Sequence, residues 1–258
     1  MALEAAGESA CPGCDNDSIY LSYLDVFKGK YLPTQSAKSR AERPWIALFD
    51  LDGTLTWHDT LLPFLLGFVR RRPSRALRCW RLPAALFRYW QDRDRGALKS
   101  SVIRMLMRGE TRPVLDAWAQ SFVAQLKSKQ QFRPLALAVV EAHRAAGDHL
   151  VLLSASPDLY VPQIGQMLGF ERTVCTELEW QGERLDGRLK TPNRRGEEKL
   201  RCLAWLRKQY PGSPVIAYGN AASDLDHLRQ ADRALLVNGN NAARRLAAKW
   251  NIAVSYWG

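Results

Sequence analysis

The chain has no stretch of roughly 18 consecutive apolar residues, so a transmembrane helix is not expected to organise it. Residues 1–18 have neither a basic start nor an apolar core, so no secretory signal is expected. Cysteine is sparse and odd in number: Cys11, Cys14, Cys79, Cys175 and Cys202. The last three are scattered, which argues against a disulfide scaffold and for a reducing, cytoplasmic setting. Cys11-Pro12-Gly13-Cys14 has metal-ligand spacing, but no second such pair and no nearby His pair completes four ligands. An incidental pair in a leader is a better reading than a zinc or redox site. Acidic residues are also few, 26 Asp and Glu against 37 Lys and Arg, which leaves a net charge of +11 and a pI near 9.7. Such a balance points to an anionic partner: a phosphorylated substrate, an anionic membrane surface or nucleic acid.

What is present is the composition of an ordinary soluble globular protein, 47% hydrophobic and 24% charged. Its 258 residues suffice for a full core and a small second domain. The organising stretch is Trp45 to Thr56, Trp-Ile-Ala-Leu-Phe-Asp-Leu-Asp-Gly-Thr-Leu-Thr. A continuous apolar run of strand formers predicts a buried parallel strand, and it ends in Asp50 and Asp52, one residue apart. In open α/β sheets chemistry sits at the carboxyl ends of strands. Two carboxylates that close repel unless a cation lies between them, and hard oxygen ligands suit Mg²⁺. The bland alternative is a chance acidic loop after a strand.

Two further strand ends and one helix start follow. His149-Leu150-Val151-Leu152-Leu153 leads to Ser154-Ala155-Ser156-Pro157, where Pro157 suits a first helical turn and Ser156 an N-cap or secondary contact. Thr191 to Lys199 leads into a helix; alone, Lys199 beside Glu197 and Glu198 reads as a surface ion pair. Pro214 to Tyr218 is a strand ending in Gly219-Asn220-Ala221-Ala222-Ser223-Asp224. Val174 to Leu189 reads as a short strand pair, Ala234 to Asn238 as a last strand, and Ala242 to Lys249 as the closing helix.

Asp-x-Asp-Gly-Thr resembles the first motif of the haloacid dehalogenase-like phosphohydrolases. Ser154, Lys199 and Gly219-Asn220-x-x-x-Asp224 resemble the second, third and fourth motifs in the required order. The match departs at Asn220, which stands where the family usually has an acid and offers a carbonyl oxygen without charge. The resemblance spans about residues 45–240. It implies a Rossmann-like, doubly wound parallel sheet with a helical cap inserted after the first strand. The division expected is an N-terminal extension over 1–44, a core over 45–61 and 132–258, and a cap over 62–131.

By the same resemblance, Asp50 is the nucleophile that forms an aspartyl-phosphate, and Asp52 protonates the leaving oxygen and then activates water. Ser154 and Lys199, with Gly53 and Thr54 of the loop, hold the phosphoryl oxygens. Mg²⁺ is held by Asp50, the carbonyl of Asp52, and Asp224 or Asn220. A lapsed binding module is the non-enzyme alternative.

Between Leu62 and Arg112 stand 13 Lys or Arg against 3 Asp or Glu, a local excess of ten interleaved with Leu, Phe, Trp and Tyr. That pattern fits an interfacial amphipathic segment, or a plain lid with one buried face and solvated arginines. Nucleic acid is disfavoured because no recognised binding motif accompanies the charge. The long helical insertion, the run Asp50 to Phe64 and the phrase Ser154 to Tyr160 resemble the subfamily (IB) of phosphoserine phosphatases and phosphatidylglycerophosphatase C-like proteins, and look closer to the latter. The substrate expected is a phosphorylated small molecule or a phospholipid head group. Localisation is expected to be cytoplasmic, with peripheral contact at the inner face of the membrane through 62–112 if the substrate is lipid.

Overall fold

The computed structural model describes residues 43–258. The expectations for Cys11, Cys14 and the segment Tyr20–Phe27 lie outside the described residues. Strand β1 (Ile46–Phe49) is wholly buried, as its unbroken apolar run requires. It pairs in parallel with β2 (His149–Pro157) on one side and β6 (Val215–Gly219) on the other. With β3 (Arg172–Thr176), β7 (Arg233–Val237) and β8 (Ala253–Ser255) these form a parallel six-stranded sheet in the order β3-β2-β1-β6-β7-β8. The chain winds outward from β1 in one direction and later returns to wind the other way. The switch point therefore falls between β1 and β6, at the carboxyl end of β1.

Both faces of the sheet are covered. Ile46 and Leu48 pack in one layer with Leu203 and Leu206 of α7 (Glu197–Gln209), Leu228 of α8 (Leu225–Gln230) and Ala243 of α9 (Asn241–Lys249). On the opposite face the Phe49 ring stacks on Tyr218 at 4.5 Å and meets Phe170 edge-on at 5.7 Å. There His143 of α5 (Pro134–Ala145) bridges Asp148 Oδ2 at 2.6 Å and the Tyr218 hydroxyl at 2.8 Å, tying the helix to β6. Burying a ring such as Phe49 contributes about 1.5–3 kcal/mol. The doubly wound fold expected of the chain is the one it adopts.

Three local readings change. Residues 174–176, expected to begin the strand pair of Val174 to Leu189, instead belong to β3 of the large sheet. Pro157 does not open a helix. The β2–β3 ladder bulges before it and continues through Asp158 N donating to Thr176 O at 3.0 Å, so the short helix α6 starts only at Val161 (Val161–Met167). A proline fits the bulge because no ladder donor is needed there. Nor is Arg233–Val237 the last strand, since β8 follows α9 and pairs with it.

The insertion between β1 and β2 holds α1 (Leu61–Arg71), a 3₁₀ segment (Pro73–Arg81), α2 (Leu82–Asp92), α3 (Arg95–Met107) and α4 (Arg112–Ser128). The 3₁₀ segment, α2 and α4 each carry proline in the first turn, where a missing N–H costs nothing. Asp94 caps α3 by accepting from Gly96 N at 2.7 Å and Ala97 N at 3.0 Å. The insertion leaves and rejoins the core through one antiparallel bridge, Thr56 with Phe132, flanked by Arg133 N donating to Leu55 O at 2.8 Å. Phe64 of α1 packs against Trp118 and Phe122 of α4 and against Tyr160.

The hairpin of β4 (Leu178–Gln181) and β5 (Arg184–Leu189) forms its own two-stranded sheet. It hydrogen-bonds to the insertion rather than to the large sheet: Ser100 Oγ donates to Gly187 O at 3.2 Å and Gly109 N to Leu185 O at 2.8 Å. No helix among the described residues is long and apolar enough to cross a membrane.

Candidate active site

Asp50 is the first residue past β1, its N–H donating to Tyr218 O of β6 at 3.0 Å. Residues 51–55 then close a single wide turn in which Gly53 has φ +81°. A side chain at 53 is excluded twice, because φ is left-handed and a Cβ would lie 2.0 Å from Asn220 Nδ2. The turn thereby brings the Asn220 amide against the loop carrying both acids.

Lys199, in the first turn of α7, donates to Asp50 Oδ1 at 2.5 Å and to Asp224 Oδ1 at 2.8 Å. All three side chains are buried. The other Asp224 oxygen accepts from Asn220 N at 3.2 Å and Ala221 N at 3.0 Å, so the loop after β6 is wrapped around this carboxylate. Burial raises Asp50 to about 7; Lys199 pulls it down and the nearby Asp224 charge pushes it up. Burial also works against ionised Asp224, but the Lys199 ammonium and its hydrogen bonds hold it below the usual carboxylate range. For Lys199 burial alone would favour the neutral amine, yet the two carboxylates hold it protonated, above its ordinary value.

Asp52 turns the other way. Its Oδ1 accepts from Thr60 N at 2.8 Å and Thr60 Oγ1 at 2.6 Å, and its Oδ2 from Ser156 Oγ at 2.6 Å. Thr60 Oγ1 lies 2.9 Å from the Tyr160 hydroxyl. Burial raises Asp52, Asp59 raises it further, and the Ser156 and Thr60 bonds oppose the rise. A carboxyl so held is oriented and biased toward keeping its proton.

Ser154, expected to hold phosphoryl oxygens, is fully buried and does not line the cleft; its Oγ accepts from Ser156 N at 3.0 Å. Ser156, read as an N-cap or secondary contact, caps nothing; its side chain lines the cleft. Thr54 is buried and its hydroxyl is committed to Asp50 Oδ2 at 3.1 Å, whereas Gly53 lines the cleft. The cleft, about 410 Å³, brings Asp50, Asp52, Gly53, Lys199, Asn220 and Asp224 to one wall.

The opposite wall holds residues that were not singled out in the sequence. Arg95 and Lys99 reach in from α3, and Asn193 and Arg195 from the segment before α7. Lys99 Nζ donates to Ala155 O at 2.5 Å and to Asn193 Oδ1 at 2.6 Å. Burial lowers Lys99 to about 8, against the upward pull of Asp52 and Asp59. One signal was available: Lys99 is the single lysine among the 13 cations of residues 62–112.

Among the described residues no three His, Cys, Asp or Glu side chains gather as a ready metal cage. Asn220 supplies an amide beside Asp50 and Asp224, where an acid would give a third carboxylate. The donors are nevertheless all hard oxygens, and Asp50 remains raised despite Lys199, so a second cation would be favoured there. That set fits Mg²⁺, which is held through one or two carboxylates and shares its shell with substrate phosphate.

Comparison with known proteins places these features in context. A family model described as haloacid dehalogenase-like hydrolase matches residues 47–229. Protein CicA of Caulobacter vibrioides (strain NA1000 / CB15N) is 34% identical over 194 residues, covering 73% of this chain and 84% of CicA. A Bordetella pertussis Tohama I protein of unknown function has a similar structure, with TM-score 0.69 and 23% identity over 82% of this chain and 98% of that one. A phosphoserine phosphatase structure described as a phospho-aspartyl intermediate analogue aligns with TM-score 0.58 and 13% identity, covering 84% and 95% of the two chains.

Proposed function

Because this chain belongs to the haloacid dehalogenase-like hydrolase family, we propose that it is a Mg²⁺-dependent phosphomonoester hydrolase acting through an aspartyl-phosphate on Asp50. The observation that carries this reading is the Lys199 ammonium joining Asp50 and Asp224, with Asp52 separately locked by Thr60 and Ser156 beside them. A carboxylate oxygen of Asp50 attacks phosphorus, forming the Asp50 O–P bond as the ester O–P bond breaks. Asp52 gives its proton to the departing alcohol oxygen. A water then attacks the phosphorus of the aspartyl-phosphate, its proton passes to Asp52, and inorganic phosphate leaves with Asp50 restored. Lys199 offsets charge on the phosphoryl oxygens, and Ser156 with the Gly53 turn completes the cradle, Ser154 holding Ser156 from behind. Asp50, Asp224, the Asn220 amide oxygen and the Asp52 carbonyl would hold Mg²⁺, which when bound neutralises charge between carboxylate and phosphoryl oxygens.

Arg95, Lys99 and Arg195 add cations beyond those one phosphoryl group needs, which supports a substrate with a second anionic group. A lipid phosphate such as phosphatidylglycerophosphate suits this wall together with the apolar Leu61 at the cleft, and peripheral contact with an anionic membrane through residues 62–112 belongs to the same reading. A phosphoserine-like soluble ester is the second reading, favoured by Asp59 at the cleft, where it could face an amine. In either case the cap comprises 62–131 together with the β4–β5 hairpin.

The test is phosphate release from phosphatidylglycerophosphate, phosphatidate, phosphoserine, sugar phosphates and an aryl phosphate, with Mg²⁺ or EDTA, beside Asp50→Asn. Release that needs Mg²⁺ and Asp50 is expected. No release from any member would leave a lapsed binding module.

A further inference from the structure

The insertion carries a second cavity, larger than the catalytic cleft at about 790 Å³, between the 3₁₀ segment, α2 and α3. Five arginines line it, Arg78, Arg81, Arg88, Arg104 and Arg108, and no acidic residue does. Three other arginines of the insertion are occupied elsewhere. Arg71 lies over the Trp118 ring, Arg75 pairs with Glu110, and Arg112 lies over Trp180. Arg104 and Arg108 share buried Asp186 with Arg188 at 3.4–3.7 Å, one carboxylate for three guanidiniums. Arg78, Arg81 and Arg88 have no ion-pair partner among the described residues, and Arg81 lies over the Trp80 ring at 5.0 Å. An uncompensated cluster of this kind repels itself and is stabilised by a multivalent anionic surface.

Large apolar side chains stand exposed on the same two elements, the 3₁₀ segment and α2: Leu77 at 78%, Trp80 at 73%, Phe87 at 59% and Trp90 at 65%, with Trp80 lining the groove itself. The apolar rim extends along α1, where Leu62 and Leu66 are also exposed and Leu61 lines the catalytic cleft. Exposed aromatic and aliphatic residues interspersed with arginines are the arrangement of an interfacial segment, apolar groups entering the acyl boundary and cations meeting phosphates. A nucleic acid would satisfy the arginines but leave Leu77 and Phe87 in water.

We propose that this arginine-lined groove and its apolar rim dock the protein on an anionic phospholipid bilayer, the groove taking lipid phosphates at a place separate from the catalytic cleft. The proposal deepens the lipid reading above by naming the docking surface, and rests on that reading for its purpose. Docking itself can fail while hydrolysis stands.

The test is co-sedimentation of the full chain with phosphatidylcholine vesicles with and without phosphatidylglycerol, in parallel with turnover of a soluble aryl phosphate. Binding to the anionic vesicles alone, weakening as salt rises, is expected. Arg81→Gln with Arg88→Gln lowers partitioning about thirtyfold, each cation near such a surface contributing a similar share. Trp80→Ser with Phe87→Ser lowers it comparably, and both variants keep their aryl phosphatase turnover. Asp50→Asn binds vesicles like the wild type while losing turnover, which separates failure of docking from failure of the catalytic reading. Equal binding to neutral vesicles, no loss in either double variant, or release from vesicles by submillimolar inorganic phosphate would overturn the proposal. Tighter binding to a short duplex DNA at equal phosphate would also overturn it, making the groove a nucleic-acid site.

Discussion

Replacing Lys99 by methionine should weaken the enzyme for its substrate while leaving the fold as stable or slightly more so. Burial moves Lys99 from its ordinary 10.5 to about 8, which corresponds to about 3 kcal/mol of preference for the neutral amine. Methionine keeps most of the apolar stem and removes that cost. It also removes the bonds to Ala155 O and Asn193 Oδ1, each worth about 1 kcal/mol. Solvent at the cleft reduces the first figure, so the net lies between no change and about 1 kcal/mol of gain at pH 7. Thermal unfolding should therefore hold steady or rise by up to about 4 °C. A hydrogen bond to a charged group contributes about 1.5–3 kcal/mol, so KM should rise roughly tenfold to a hundredfold with a smaller change in kcat.

The pH dependence has a fixed sign. Below about pH 8 Lys99 carries its charge in the folded protein, so wild-type KM is low there and rises as pH passes through about 8. Between about 8 and 10.5 the unfolded chain binds more protons at this position than the folded one. Wild-type stability from this group thus increases with pH over that window, and the Lys99→Met protein lacks the increase. A KM within twofold of wild type, or a variant destabilised by more than about 2 kcal/mol, would refute the assignment of Lys99 as a substrate-facing cation.

Asp50→Asn should lower kcat by about 10⁴ or more while the protein stays folded, checked by phosphate release and circular dichroism. Gly53→Ala should nearly abolish turnover, because its Cβ would strike the Asn220 amide within a left-handed turn; steady-state assay beside a thermal melt separates the site from the fold. Asn220→Asp should restore a third carboxylate and tighten Mg²⁺ about tenfold, read by calorimetry and by Mg²⁺ titration of activity. Leu48→Ala, at a fully buried position of the central strand, should cost about 2–5 kcal/mol in urea unfolding with activity retained below the transition.

Asp50, Asp52, Lys199 and Asp224 could all be found in the one-dimensional chain. Each follows a local pattern, an apolar run that must be a strand or a turn that must open a helix, and their order added the rest. The sheet was legible for the same reason, since a strand buried on both faces writes its environment into consecutive residues. Arg172–Thr176 and Ala253–Ser255 were harder, being short edge strands whose partners define them. The stretch Val174 to Leu189 reads as a strand pair locally, yet nothing local says that 174–176 join the large sheet or that the remaining hairpin rests on α3.

The Asp50-Leu51-Asp52-Gly53-Thr54 loop and its place at a strand end were determined by the sequence alone, because steric rules and hydrophobic burial act between near neighbours. Only the tertiary structure decided that Ser156 grips Asp52 across 104 residues, that Lys99 and Arg195 face the same cleft, and that five arginines line one groove. Those pairings are set by how helices and sheet pack. The free energy that chooses them belongs to surfaces buried between distant segments, so no short window of residues encodes them.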